Sequence, residues 1–202
     1  MRPAACSARL VLFEMPTIDR ILISRDAIAE KVRAVGQQLT ADLLAEEVQM
    51  RDAGKSVGAI VMVPILTGAM LFTADLVRAM PVTMSIRPVT VSSYPGSATS
   101  SHGATIQHGL PTDLRDKRVI IVDDILDSGQ TLGLLRRVIA AQLPCSLRLV
   151  VLLTKVGVKR VEEVPVEYSC FDIANEFVIG YGLDYDGYFR NVPDIAVMRP
   201  QV

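Results

Sequence analysis

Apolar residues recur along this chain with two different periods, and the switches between them mark alternating helices and strands. Ser24 is placed to cap a helix with Asp26 in its first turn, and Ile28, Val32, Val35, Leu39 and Leu43 follow at the spacing of a covering helix. Residues 57–63 read as a buried strand, 64–68 as a turn, and Met70, Leu71, Ala74, Leu76 and Val77 as the next helix. Residues 82–93 alternate as a strand, and residues 94–103 are small, polar and turn-rich, which predicts a mobile loop. The β-branched run 119–122 suits a strand buried on both faces, and Leu132, Leu135, Val138 and Ile139 suit an amphipathic helix beginning near Gln130. Residues 147–153 read as another buried strand, and residues 164–171 as a short one. Residues 177–190 are dense in Gly, Tyr and Asp and have no helical period. Strands alternating with helices predict an α/β fold, a doubly wound parallel sheet, with a small lobe appended after residue 163.

Length and charge narrow the function classes. A chain of 202 residues predicts one domain with a core that needs no disulfide or metal. A formal net charge of -1 with scattered Lys and Arg argues against a nucleic acid partner. Cys6, Cys145 and Cys170 have none of the paired spacings of zinc sites and read as reduced structural cysteines. His102 and His108 flank a polar, Gly-containing stretch without nearby ligand types, and read as solvent-exposed loop histidines. In the first sixteen residues the apolar patch 10–13 is too short for a secretory signal and is interrupted at Glu14. A disordered extension, or a start ahead of Met15, is the expectation there. The apolar stretch 59–72 is broken by Pro64 and Gly68, so no membrane span is expected and the protein is placed in the cytoplasm.

The segment after residue 122 carries the chemistry. Its loop should lie at a carboxyl strand end, where open parallel sheets bind ligands, with the following helix aiming free N–H groups and a positive dipole end at an anion. Adjacent carboxylates at Asp123 and Asp124 repel and need cations or hydroxyl donors, which paired sugar hydroxyls would supply. Ser128, Gly129 and Thr131 offer hydroxyls and a side-chain-free position that can wrap a phosphate. Neither a Gly-Lys-Ser/Thr ending nor three spaced glycines is present, so a phosphosugar fits better than ATP or a dinucleotide.

Residues 119–132, Val-Ile-Ile-Val-Asp-Asp-Ile-Leu-Asp-Ser-Gly-Gln-Thr-Leu, resemble the phosphoribosyl pyrophosphate motif of type I phosphoribosyltransferases. Residues 18–24, 66–69, 92–94, 177–185 and 188–191 resemble the hypoxanthine-guanine branch of that family, and the likeness runs from Thr17 to Met198. The resemblance implies the type I phosphoribosyltransferase fold: a core of about residues 26–163 and a hood from the N-terminal segment and about residues 164–202, in one domain over 17–202. It implies that Asp123 and Asp124 hold the ribose hydroxyls. Asp127 would take the purine N7 proton, and Asp127, Ser128, Gly129, Gln130 and Thr131 would cradle the 5′-phosphate. Ile125 and Phe177 would flank the purine, Val178 would read its edge through the backbone, and Lys155 would donate to its 6-oxo group. Leu66, Thr67 and Gly68 would form the pyrophosphate loop, where the family can hold a non-proline cis peptide. Asp184, beside the purine, and Arg190 would meet Mg²⁺-pyrophosphate, with Asp123 and Asp124 as further metal contacts. Ser92, Ser93 and Tyr94 would close over the site as a flap.

Three positions depart from the family pattern. Asp123 stands where Glu is more common, Thr67 where Lys or Arg is common, and Glu176 where the hood often carries a basic residue. The implied activity is Mg²⁺-dependent transfer of ribose 5-phosphate from phosphoribosyl pyrophosphate to a 6-oxopurine, in a homodimer or homotetramer. Other readings are a transferase for xanthine or another base, a phosphoribosyl pyrophosphate sensor with little catalysis, and a receiver-like Mg²⁺ domain.

Overall fold

The computed structural model describes residues 17–92 and 104–199. Its first elements are strand β1 (Ile18–Ile23), helix α1 (Arg25–Asp52), strand β2 (Ile60–Leu66) and helix α2 (Met70–Arg78). Short strands β3 (Met84–Ile86), β4 (Val89–Ser92) and β5 (Thr105–His108) follow, then β6 (Arg118–Leu126), helix α3 (Gln130–Ala140) and β7 (Ser146–Lys155). Strands β8 (Tyr168–Ile173), β9 (Val178–Ile179) and β10 (Ile195–Met198) complete the chain.

The main sheet runs β5-β4-β2-β6-β7-β8, with β3 also on β2. Its centre is parallel, Val61 opposite Val119 and Val119 opposite Leu147. Alternation within these strands sorts side chains to two faces. Met62, Ile120, Val122 and Val150 pack under α1 and α2, whereas Val61, Val63, Ile121 and Val151 pack with Leu132, Leu135 and Ile139 of α3. The Ser24 hydroxyl accepts from Ala27 N at 3.3 Å, as its capping position predicted. Among the described residues no helix is long and apolar enough to cross a membrane.

Several predicted boundaries move. The strand expected over 82–93 is two strands that take successive stretches of the same β2 edge, because Pro88 has no N–H to continue the ladder. Strand β2 begins later than expected and keeps Pro64 inside it, so the turn starts only after Leu66. Strand β5 pairs antiparallel with β4, so the sheet is mixed rather than wholly parallel. His108 lies on that exposed edge strand and not in a loop, while residues 1–16 with Cys6, and the whole of the expected mobile loop 94–103 with His102, lie outside the described residues. The strand expected over 164–171 starts at Tyr168, because Val164 turns inward beneath α3 and Pro165 cannot donate to a ladder. Strand β8 closes the main sheet, which therefore reaches Ile173 and passes the expected core boundary at residue 163.

A second, antiparallel sheet of order β1-β10-β9 joins both ends of the described chain. Asp194 ties it to the core by accepting from Arg25 N at 2.8 Å and pairing with the Arg25 guanidinium at 3.2 Å. The Tyr181 hydroxyl donates to Asp75 of α2 at 2.6 Å. Cys145 and Cys170 are free thiols; Cys145 is exposed, and burial pushes the Cys170 thiol up to about 12.

Candidate active site

Strand β6 carries the acidic pair inside the ladder rather than in the loop beyond it, with Asp123 opposite Val151 and Ile125 opposite Leu153. The strand therefore outlasts its apolar run, since β7 goes on supplying backbone partners after the pairing with β2 ends at Val122, regardless of side chain. Asp123 is buried, and its Oδ1 accepts from Asp124 N at 3.0 Å. Burial holds the Asp123 carboxyl well above the usual carboxylate range, and the neighbouring Asp124 charge adds to the rise. Burial also raises Asp124, while hydrogen bonds from its surroundings and the Arg190 charge oppose that rise. Gly68 lies hard against this pair: a Cβ there would fall 1.8 Å from Asp124 Oδ2.

The loop after Leu126 turns through Gly129, whose φ of 82° lies in the left-handed region that favours glycine. Gly129 caps α3 without a side-chain hydrogen bond, so the first-turn N–H groups face the loop's interior. Gln130 N approaches the Ser128 hydroxyl at 3.4 Å. Across the cavity Leu66 and Thr67 join through a non-proline cis peptide, at the place the family resemblance indicated. Arg190 pairs with Asp184 at 2.7 Å and donates to the Gly182 carbonyl at 2.5 Å, and Asp184 accepts from Gly187 N at 2.7 Å.

These walls enclose a cavity of about 480 Å³. Leu66, Gly68, Asp123, Asp124, Ile125, Asp127, Ser128, Gly129, Thr131, Asp184 and Arg190 all line it, as the sequence had grouped them. Lys155, at the end of β7, joins through its ammonium, which stands 2.8 Å from Asp127 Oδ2. Thr67, Gln130, Phe177 and Val178 are not part of the wall. Phe177 is 53% exposed and meets Tyr185 edge to face, with centroids 5.8 Å apart, while Val178 is buried in β9. Ser92 ends β4, and Ser93 and Tyr94 lie outside the described residues. Sequence reasoning missed Ile65, Val91, Leu126 and Leu132 as lining residues. For Ile65, Val91 and Leu126 the signal was adjacency to strand ends, and for Leu132 its place in the first turn of α3; both become informative once strand order is known. Glu176 takes Arg20 of β1 at 2.5 Å, so the acidic departure has a local cation.

A family model described as phosphoribosyl transferase domain matches residues 31–186. The hypoxanthine-guanine phosphoribosyltransferase of Streptococcus pneumoniae (strain ATCC BAA-255 / R6) is 37% identical over 185 residues, 92% of this chain and 96% of the relative. That of Mycobacterium tuberculosis (strain ATCC 25618 / H37Rv) is 37% identical over 187 residues, 92% of this chain and 88% of the relative. Among solved structures, the hypoxanthine phosphoribosyltransferase of Staphylococcus aureus superposes with a TM-score of 0.78 at 31% identity, covering 91% of this chain and 92% of that one. The Trypanosoma cruzi enzyme superposes with a TM-score of 0.76 at 31% identity, covering 91% and 98%. With both sequence and architecture matched over nearly its whole length, the chain belongs to the hypoxanthine-guanine phosphoribosyltransferase family.

Proposed function

We propose that this protein transfers ribose 5-phosphate from phosphoribosyl pyrophosphate to hypoxanthine or guanine, yielding the purine nucleoside monophosphate and pyrophosphate in purine salvage. The observation that carries this reading is one cavity shared by the acidic pair Asp123 and Asp124, the α3 N-terminus, Asp127 and the Asp184–Arg190 pair. Each group suits a different part of such a donor and acceptor.

In this mechanism Ser128, Gly129, Gln130 and Thr131 hold the 5′-phosphate at the positive end of α3. Asp123 and Asp124 accept from the ribose hydroxyls, which relieves two carboxylates that burial makes costly to ionise. Lys155 donates to the purine 6-oxo group, Ile125 and Phe177 flank the ring, and the Val178 backbone meets its edge. The purine nitrogen forms its bond to the ribose carbon as the bond to pyrophosphate breaks, and Asp127 takes the proton from N7. Arg190 and the N–H groups around Leu66, Thr67 and Gly68 receive the negative charge of the departing pyrophosphate.

The same carboxylates fit a divalent cation. Among the described residues no three His, Cys, Asp or Glu side chains are grouped as a metal cage; Mg²⁺ brought by a diphosphate keeps several waters and needs only one or two carboxylates. Asp184, with Asp123 and Asp124, would hold Mg²⁺, which supplies positive charge to the leaving group. A homodimer or homotetramer in the cytoplasm belongs to this reading; light scattering on purified protein checks the assembly.

A spectrophotometric assay with phosphoribosyl pyrophosphate and Mg²⁺ against hypoxanthine, guanine, xanthine, adenine and uracil tests the proposal. Turnover of hypoxanthine or guanine, with adenine and uracil refused, supports it. Turnover of xanthine alone or of uracil moves the assignment to another base, and donor binding without turnover makes the protein a sensor.

A further inference from the structure

The connection from β7 to β8 lies against the outer side of the phosphate loop. The Ser128 carbonyl accepts from Val161 N at 2.9 Å and from Glu162 N at 3.2 Å. In a planar trans peptide the carbonyl and the next N–H point in opposite directions, so holding Ser128 outward turns the Gly129 N–H toward the cavity that Gly129 lines. The contact is close, since a Cβ on Gly129 would fall 2.0 Å from the Glu162 carbonyl oxygen.

The Glu162 side chain then crosses to the helix. Its carboxylate lies over Gly133 in the first turn of α3, where a Cβ would fall 2.2 Å from Glu162 Cδ, and it pairs with Arg137 one turn further on. The backbone of one residue thus braces the loop while its side chain grips the helix that the loop begins. At the other end of this connection, Arg160 donates to the Lys155 carbonyl at 3.4 Å.

We propose that Glu162 is a positioning residue for the donor's phosphate. Fastened by Arg137 and seated over Gly133, it keeps residues 161–162 against Ser128, so that the loop's N–H groups are aimed before the phosphate arrives. This rests on reading that loop as the phosphate cradle. Donors already in place need not be ordered on binding, so the brace acts on affinity for phosphate-bearing ligands. Glu162 does not line the cavity, and its carboxylate is engaged at Gly133 and Arg137, so bond making is left to other groups.

The test compares Glu162→Gln, Arg137→Gln, the double variant and Gly133→Ala with the parent, by steady-state kinetics and by calorimetric titration with phosphoribosyl pyrophosphate and with a purine nucleoside monophosphate. Each single variant raises KM for the donor about two- to fivefold, the range open to a partly exposed ion pair. Purine KM and kcat stay within error. The double variant is no worse than the weaker single variant, because both remove one brace. Gly133→Ala shows the same donor effect without a lower melting temperature, since alanine favours the helix and displaces only the Glu162 carboxylate. A parent that binds and turns over donor, with variants whose donor KM is unchanged, overturns the brace alone. If the parent binds neither ligand, the phosphate cradle falls and the brace with it.

Discussion

The Lys155 ammonium stands 2.8 Å from Asp127 Oδ2, so the end of β7 is tied to the loop that follows β6. The Lys155 side chain is only 13% exposed and that of Asp127 53%, which leaves the carboxylate free to meet a purine while its partner stays seated. Asp127→Asn removes the proton acceptor but keeps the side chain's size. Its kcat should fall about 10²-fold or more, with donor KM changed far less. A kcat within a few-fold of the parent would remove Asp127 from the proton-transfer role.

Lys155→Met keeps the aliphatic stem and deletes the charge. It should raise purine KM about tenfold or more, the worth of a hydrogen bond from a charged donor, while phosphoribosyl pyrophosphate affinity is retained. Parallel titrations with donor and with guanine separate the two effects, and an equal loss for both would mean that Lys155 orders the loop and does not read the base.

Asp123 makes stability depend on pH in a definite sense. Its folded-state pKa lies above the unfolded value, so its contribution is complete below the ordinary carboxylate range and is lost as pH rises toward the raised value. Asp123→Asn should therefore raise the stability of the ligand-free protein on the order of 1 kcal/mol at neutral pH, with the advantage shrinking as the solution is acidified. The same variant should bind donor less tightly. Melting curves from pH 4 to 8 measure this, and a destabilised variant at neutral pH would contradict it.

Gly68→Ala places a methyl group against the Asp124 carboxylate, only 1.8 Å from Oδ2 in the present arrangement. Asp124 must swing away from the ribose position. Donor KM should rise about tenfold or more, since even small displacements of positioning groups weigh heavily on rate. A variant with parental donor KM would show that Asp124 is not fixed by this contact.

Much of the site was legible because its chemistry sits in one short stretch. Asp123, Asp124, Asp127, Ser128 and Gly129 are nearly consecutive, so a strand followed by a helix brings them together whatever the rest of the chain does. The distant members, Leu66, Gly68, Asp184 and Arg190, were reachable only through family likeness, because no local period links them to β6. Boundaries failed where one residue overrode a pattern: Pro88 divides an alternating run, and Pro165 delays β8.

The sequence alone determined the α/β class, the cap at Ser24, the two-faced burial of the central strands and the phosphate-suited loop, because these depend on neighbours along the chain. Only the tertiary structure decided that β5 runs antiparallel, that β8 belongs to the main sheet, that Lys155 grips Asp127 and that Glu162 braces Ser128. Those relationships join residues far apart in sequence, and their energies come from close packing and directed hydrogen bonds that exist only once the strands are ordered side by side.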